Sequence, residues 1–154
     1  FSGRVVCMTD IDHRTLAIDL FNQTWDYLDK QRTVEEDFQM VLIAHASCYH
    51  WSQCGTELEQ ARGEWLISRV HAMLKQGDIA LWHAQRSLNL CLERGFTGFD
   101  LAFGYEAVAR AYACLRIEDQ MTEALQSAVV AAEAITDEND RLYTLSEIRS
   151  IAIE

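Results

Sequence analysis

The chain contains no proline, and this absence constrains its fold more than any other feature of the sequence. Proline and glycine mark the many turns that an all-β protein needs, and only seven glycines occur among the 154 residues. A hydrophobic content of 49% is too high for a disordered chain and is sufficient for one buried core. The sequence therefore predicts an all-α fold with long helices and short connections.

Helix start and stop signals divide the chain into seven predicted helices. Thr33 with Glu36, and Thr56 with Glu59, have the spacing of capping boxes, in which a hydroxyl and a glutamate satisfy two free N–H groups at a helix start. The predicted helices span about 12–30, 34–53, 57–76, 79–94, 99–117, 121–135 and 139–153. Because the connections are short, consecutive helices are expected to be antiparallel neighbours. We therefore expect an N-terminal extension at 1–11 and a single helical domain at 12–154.

The formal net charge of −11 excludes several classes of partner. Nucleic-acid binding needs a dense basic patch, which no run of lysine and arginine supplies, and the same charge disfavours anionic membranes. No segment approaches the length of about 20 apolar residues that a membrane span requires. Five cysteines, an odd number in a chain of this size, indicate reduced thiols and a cytoplasmic protein. We expect no cofactor.

Two histidines and two cysteines lie close together in the second predicted helix. At about 100° per residue, His50 and Cys54 share one face, whereas His45 and Cys48 lie on another. One helix cannot bring these four groups to one ion, so the sequence predicts no metal site. His50 and Cys54 leave one alternative open, as half of a site that another helix completes. The helix is apolar nearly all round, which predicts a central, buried position with core histidines.

Comparison of the chain with itself indicates an internal repeat. Residues 68–75 align with residues 109–116 at an offset of 41, and both segments are followed by a break that carries Asp78 or Asp119. Each break leads into a helix with small residues at a helical spacing. These small residues are Ala80, Ala84 and Ser87 in the first copy, and Ala124, Ala128 and Ala131 in the second. Small side chains at these places allow two antiparallel helices to approach closely.

This pattern resembles the tetratricopeptide repeat family over about residues 61–131. In the first copy, the small Ser68, the ring of His71 and the series at Ala80, Ala84 and Ser87 match the spacing of the family without gaps. The closing proline of the family is absent, and the repeat is longer than the usual length of about 34 residues. The resemblance implies helix pairs stacked as a short superhelix.

The resemblance also implies that the first helix of each pair lines a concave groove that holds an extended peptide of a partner protein. The groove positions that carry candidate binding chemistry are Arg62, Trp65 and Arg69 in one helix and Phe103, Glu106 and Arg110 in the other. Arginine matches a carboxylate with a planar fork of donors, and aromatic residues and arginine dominate binding hot spots. We therefore expect a protein or peptide partner, with an acidic segment or a C-terminal carboxylate as the group that Arg69 and Arg110 read.

Three alternatives stay open at this point. Arg69 and Arg110 can instead pair with internal acids, since Glu106 lies four residues before Arg110. A small enzyme or small-ligand-binding protein is the competing class, with His71 and His83 as bases and Cys91 or Cys114 as nucleophiles. No glycine-rich phosphate loop, nucleophile elbow or HExxH motif supports that class. Apolar residues in the last helix also leave a homodimer open.

Overall fold

The structure, a computed structural model, describes residues 10–152. Within that range the chain forms seven α-helices and no β-strand, which confirms the predicted all-α class. The helices are α1 (His13–Leu28), α2 (Val34–Cys54), α3 (Glu57–Met73), α4 (Gly77–Arg94), α5 (Phe99–Leu115), α6 (Glu118–Glu133) and α7 (Glu138–Arg149). The predicted extension at 1–11 and the last two residues of the predicted domain at 12–154 lie largely outside the described residues.

Capping side chains fix where α2 and α3 begin. Thr33 accepts a hydrogen bond from the Glu36 backbone N–H, and the Glu36 carboxylate accepts one from the Thr33 N–H. Thr56 and Glu59 form the same reciprocal pair at the start of α3. Both predicted capping boxes are therefore present, and each satisfies two donors that would otherwise have no partner in the helix.

The helices pack as three pairs, α1 with α2, α3 with α4 and α5 with α6, and α7 follows the last pair. The first helices of successive pairs also contact one another, so that α1, α3, α5 and α7 form a row. We call this row the first-helix wall. Phe21 of α1 and Tyr143 of α7 line the same cavity although their helices are not in direct contact, so the wall is curved.

Equivalent positions are buried in the second helix of every pair. In α4 these positions are Ala80, Ala84, Ser87 and Cys91, which have relative exposures of 2% or less. The corresponding buried residues lie 40 positions earlier in α2 (Met40, Ala44, Ser47 and Trp51) and 44 positions later in α6 and just beyond it (Ala124, Ala128, Ala131 and Ile135). The small residues of the predicted repeat therefore all lie at the interfaces of helix pairs, where they permit close approach.

Two glycines mark a second recurrence at the offset of 41. Gly63 of α3 lies against Cys48 of α2, and Gly104 of α5 lies against Leu88 of α4. A Cβ atom would stand 3.0 Å from the Cys48 sulfur at the first position and 3.3 Å from Leu88 at the second. Each glycine therefore lets a first helix pack closely against the preceding pair.

The prediction that α2 is buried nearly all round is wrong. One face, with Met40, Ala44, Ser47 and Trp51, is buried, but Val34, Phe38 and Leu42 on the opposite side are exposed by 62% or more. Only one face of α2 packs against the neighbouring helices. No other described element covers the apolar side chains on its opposite face. Apolar content alone therefore overestimated how much of this helix is enclosed.

Candidate functional site

A mainly apolar cavity of the first-helix wall is lined by six aromatic rings. It has a volume of about 320 Å³. Its aromatic residues are Phe21 and Trp25 from α1, Trp65 from α3, Phe99 and Phe103 from α5, and Tyr143 from α7. We call it the aromatic pocket. The other residues of its lining are Ala61, Arg62, Ser87, Cys91 and Asp100.

The rings form a connected series along the wall. Trp25 and Trp65 have ring centroids 5.7 Å apart, and Trp65 meets the edge of Phe103 at 5.5 Å. Phe103 in turn contacts Phe99 at 4.6 Å and Tyr143 at 6.1 Å. Such pairs stabilise one another beyond the burial of their area, so the rings hold one another in place.

A glycine turn places the two phenylalanines at the pocket. The chain leaves α4 at Gly95 with φ 70° and enters α5 after Gly98 with φ 63°. Both values lie in the left-handed region that side chains rarely adopt, so glycine makes this turn possible. Phe99 is the first residue of α5, and Phe103 follows one turn later on the same side.

The edge of the aromatic pocket carries an ion pair between neighbouring wall helices. The Arg62 Nε–H donates to Asp100 Oδ1 at 2.7 Å, and Nη2 donates to Asp100 Oδ2 at 3.2 Å. This fork-to-carboxylate pair joins α3 to α5 and neutralises both charges. Arg62 therefore contributes a closed charge pair to the pocket rather than a cation that is open to a ligand.

A buried carboxylate lies behind the rings. Glu106 is 0% exposed, and its Oε2 accepts a hydrogen bond of 3.1 Å from the Trp65 indole N–H. Its Oε1 accepts from Arg69 at 3.2 Å and from Arg110 Nε at 2.7 Å. Arg69 also donates to Glu147 of α7 at 3.1 Å. These five residues form one network across α3, α5 and α7, which we call the Glu106 network.

The Glu106 network bears on the two interpretations of the arginines, as partners of internal acids or as contacts for a ligand carboxylate. Arg69 and Arg110 both pair with internal acids, and their side chains are only 17% and 20% exposed. The internal-pairing alternative therefore describes the protein as it stands. A contact between these arginines and a ligand carboxylate stays a prediction, and Glu106 contacts no open space because it is fully enclosed.

The six groove residues predicted from the sequence share one wall but do not share one role. Trp65 and Phe103 line the aromatic pocket, Arg62 pairs with Asp100 at its edge, and Arg69, Glu106 and Arg110 belong to the buried network.

Sequence reasoning missed Phe21, Trp25, Phe99 and Tyr143. An offset of 44 residues between α1 and α3 could have identified two of them. At this offset the buried Ala17 corresponds to the buried Ala61. Phe21 and Trp25 then correspond to Trp65 and Arg69, which the sequence analysis had placed in the groove.

A second group of polar side chains lies between α2, α3 and α4. His45, His71 and His83 come together there, with ring centroids of His45 at 5.3 Å from each of the other two. His71 Nδ1 lies 2.6 Å from Gln76 Oε1, and His83 Nδ1 lies 2.6 Å from Glu64 Oε2. We call this group the histidine cluster.

Hydrogen bonding assigns the protons of the histidine cluster. Because the Gln76 oxygen can only accept, His71 Nδ1 carries a proton and donates it, which leaves His71 Nε2 as an acceptor for His45 Nε2–H at 3.0 Å. Burial lowers the pKa of His45 and of His71 from the usual value of 6.5. Both rings are therefore neutral in the folded protein at pH 7.

This lowered pKa predicts a loss of stability in mild acid. The unfolded chain takes up protons at about pH 6.5, whereas the folded chain resists protonation of His45 and His71 until a lower pH. Stability is therefore complete above pH 6.5 and is expected to fall as the pH drops below it. Urea unfolding at pH 7.5 and 5.5 measures this difference. The difference in stability between the two pH values should shrink in His45→Gln. It should persist in the control Gln85→Ala, because Gln85 is exposed. An undiminished difference in His45→Gln would contradict the lowered pKa of His45 as its cause.

His50 and Cys54 of α2 do not belong to the histidine cluster. His50 Nδ1 lies 2.8 Å from His13 Nδ1 of α1, and Cys54 is exposed. Within residues 10–152, no three side chains of His, Cys, Asp or Glu stand together in the geometry of a metal site. Burial raises the pKa of Cys91 to about 11, which disfavours the thiolate that a nucleophilic cysteine needs.

Comparisons with known protein families and with curated proteins found no match for this chain. None of the helices in the described part of the chain is both long and apolar enough to cross a membrane. The function therefore has to be inferred from the geometry of the first-helix wall.

Proposed function

We propose that the chain is a protein-interaction module that accepts an apolar side chain of a partner in the aromatic pocket. The observation that carries this proposal is the lining of the pocket by six aromatic rings contributed by four helices. Pockets lined by aromatic residues anchor binding hot spots, because a side chain that fills them is largely removed from water. The ion pairs around the pocket are closed, so the anchor of the partner is expected to be apolar rather than charged.

The partner is expected to be a polypeptide segment that lies along the first-helix wall. The wall is a continuous row of four helices that all line the pocket, and other wall residues such as Arg69 and Ala72 lie beyond it. The tetratricopeptide-like arrangement, a cytoplasmic location and a homodimer stay predictions alongside this function. The recurrence of buried positions in the three helix pairs supports the tetratricopeptide-like arrangement.

A small apolar ligand is the second candidate occupant. A volume of about 320 Å³ lies at the lower end of the range of about 300–1,000 Å³ found for small-molecule pockets. A neutral dye such as N-phenyl-1-naphthylamine tests this candidate, since Trp25 and Trp65 report on the occupancy of the pocket by fluorescence.

The proposal is tested with a random peptide library displayed on phage and selected on the purified protein. Selected peptides should share a large apolar residue, and Tyr143→Ala should weaken them by about tenfold, the effect of losing roughly 1.4 kcal/mol of apolar contact. Tyr143 is 50% exposed and Phe99 is 37% exposed, so their removal is not expected to unfold the protein. Phe99→Ala should have a similar effect.

Two matched variants control for a general loss of surface area. Leu142→Ala removes a side chain that is 56% exposed beside Tyr143, and Phe38→Ala removes one that is 62% exposed on α2. Neither residue lines the pocket. Equal weakening by the controls, or selected peptides with no shared apolar residue, would exclude the aromatic pocket as the binding site. Binding of the dye without any selected peptide would instead favour the small-ligand candidate.

A further inference from the structure

Two histidines from neighbouring helices meet at one end of the first helix pair. His13 is the first residue of α1, His50 lies one turn before the end of α2, and their Nδ1 atoms are 2.8 Å apart. The ring centroids lie 5.1 Å apart, and both side chains are partly exposed. The ring of Tyr49 stands at a steep angle to both, 6.3 Å from His13 and 5.4 Å from His50. We call the two residues the His13–His50 pair.

The facing Nδ1 atoms of the His13–His50 pair suit a metal ion as well as a shared proton. In a hydrogen bond between neutral rings, one Nδ1 carries the proton and the other accepts it. When both rings carry their proton on Nε2, two lone pairs point to one place instead, and a neutral imidazole nitrogen is a common metal ligand. Zinc with bonds of about 2.0–2.1 Å to nitrogen holds two tetrahedral nitrogens about 3.3–3.4 Å apart. The two rings therefore need to part by only about 0.5–0.6 Å to hold a zinc ion.

A third donor lies one helical turn from His50. Cys54 is the last residue of α2, is exposed, and follows His50 by four residues. Two side chains at this spacing on one helix can bind the same zinc ion. The Cys54 Sγ now contacts the His50 carbonyl oxygen at 3.3 Å, so rotation about the Cα–Cβ bond is needed to bring it to the two nitrogens. Residues 10–152 accordingly hold two donors in place here rather than a ready group of three.

The charges around the His13–His50 pair favour a cation. Asp10 and Asp12 line an open cavity together with His13, so carboxylates and water both lie beside this ring. Arg14 follows His13 in the chain, but its charge is balanced by Glu59 at 3.2 Å. In a protein with a net charge of −11, such a surface raises the local concentration of divalent cations.

We propose that His13, His50 and Cys54 bind one zinc ion, with water as the fourth ligand. Imidazole and thiolate are ligands that zinc prefers, and three protein ligands with one water form an open zinc site. On binding, the proton of the donating Nδ1 moves through water to Nε2 of the same ring, and the Cys54 thiol releases its proton to the solvent. Because His13 lies 37 residues from His50, inspection of α2 alone could not find this ligand.

Zinc binding is measured by calorimetry with zinc chloride on the untagged protein, in the presence of a reductant that does not bind metal. One ion per chain is expected, and zinc should raise the urea midpoint of unfolding because it binds the folded chain preferentially. His13→Gln, His50→Gln and Cys54→Ser should each weaken binding by at least about tenfold, since even the outer partners of metal ligands contribute that much.

Two control variants separate this site from the other histidines and thiols. His45→Gln removes the contact of His45 with His71, whose Nε2 atoms are 3.0 Å apart, and leaves the His13–His50 pair intact. Cys48→Ala removes a thiol that packs against Gly63. Both controls should bind zinc as the unchanged chain does.

Cobalt in place of zinc tests the thiolate ligand directly. The cobalt complex of the unchanged chain should show sulfur-to-cobalt charge-transfer absorption, because a thiolate ligand gives this band and imidazole does not. The band should persist in His45→Gln and Cys48→Ala and should be absent in Cys54→Ser.

Three results would overturn the proposal. These are the absence of one-to-one zinc binding, binding that His13→Gln or Cys54→Ser leaves unchanged, and a loss in His45→Gln as large as in His50→Gln. Circular dichroism checks that each variant stays helical, and His13→Ala and His50→Ala provide a second pair of variants. Tyr143→Ala should leave zinc binding unchanged, because Tyr143 belongs to the aromatic pocket.

Discussion

Replacement of Glu106 with alanine is expected to lower the free energy of unfolding by about 3–5 kcal/mol, because it leaves two partly buried arginines without their shared carboxylate. Glu106 is fully buried and accepts hydrogen bonds from Trp65, Arg69 and Arg110. Removal of its side chain also leaves the Trp65 indole N–H without an acceptor and opens a void between α3 and α5. The loss is read from urea unfolding followed by circular dichroism and by tryptophan fluorescence.

An exposed ion pair of the same wall provides the control for this substitution. Arg62 pairs with Asp100 through two hydrogen bonds, but the Arg62 side chain is 51% exposed. Arg62→Ala, which removes the half-exposed partner of this pair, should therefore cost only about 0–1 kcal/mol, the range found for surface salt bridges. A similar loss in both variants would contradict the difference in burial that this prediction rests on.

A combined substitution tests whether the charge of Glu106 or only its volume matters. Glu106→Leu together with Arg69→Met and Arg110→Met removes the network without leaving a buried charge unpaired. Replacement of a whole buried ionic group by apolar residues is often neutral or stabilising, so this variant should be more stable than Glu106→Ala. If the triple variant is less stable than Glu106→Ala, the hydrogen-bond geometry of the network contributes more to stability than the balance of its charges.

Local signals predicted the helices well because each depends on residues close together in the chain. The hydroxyl of Thr33 and the carboxylate of Glu36 are three residues apart, and their hydrogen bonds involve no residue from elsewhere in the chain. The small residues that recur along α4 and α6 likewise indicated a close interface, and they are buried there. The exposed face of α2 was missed because exposure depends on which other helices lie nearby, and the local sequence of a helix does not indicate its neighbours.

The site was harder to predict because its contacts join residues far apart in sequence. The indole of Trp65 reaches Glu106 across 41 residues, and Arg69 reaches Glu147 across 78. The repeat placed the arginines and aromatic residues correctly on one wall, but it could not state which acids would face them from α7. Tyr143 and Glu147 lie in a helix outside the aligned copies, so the comparison of the chain with itself did not include them.

Replacement of Leu66 with alanine is expected to lower the free energy of unfolding by about 2–5 kcal/mol, through lost burial and the cavity that remains. Leu66 is 0% exposed and packs in a core cluster with Leu28, Met40, Ile67 and Val70, where α1, α2 and α3 meet. Urea unfolding measures the loss. Leu142→Ala, which removes a leucine that is 56% exposed, should change stability by no more than about 0.5 kcal/mol.

The equivalent position of the second repeat copy supplies the reverse experiment. Ala107 lies 41 residues after Leu66, is 3% exposed and belongs to a different core cluster. Because alanine already fills this place, Ala107→Leu should destabilise by overpacking, by about 1–3 kcal/mol. The two copies would then share their helix geometry but fill equivalent core positions with side chains of different size. Destabilisation by both substitutions supports this arrangement, whereas a neutral Ala107→Leu would mean that space for a leucine remains between α5 and its neighbours.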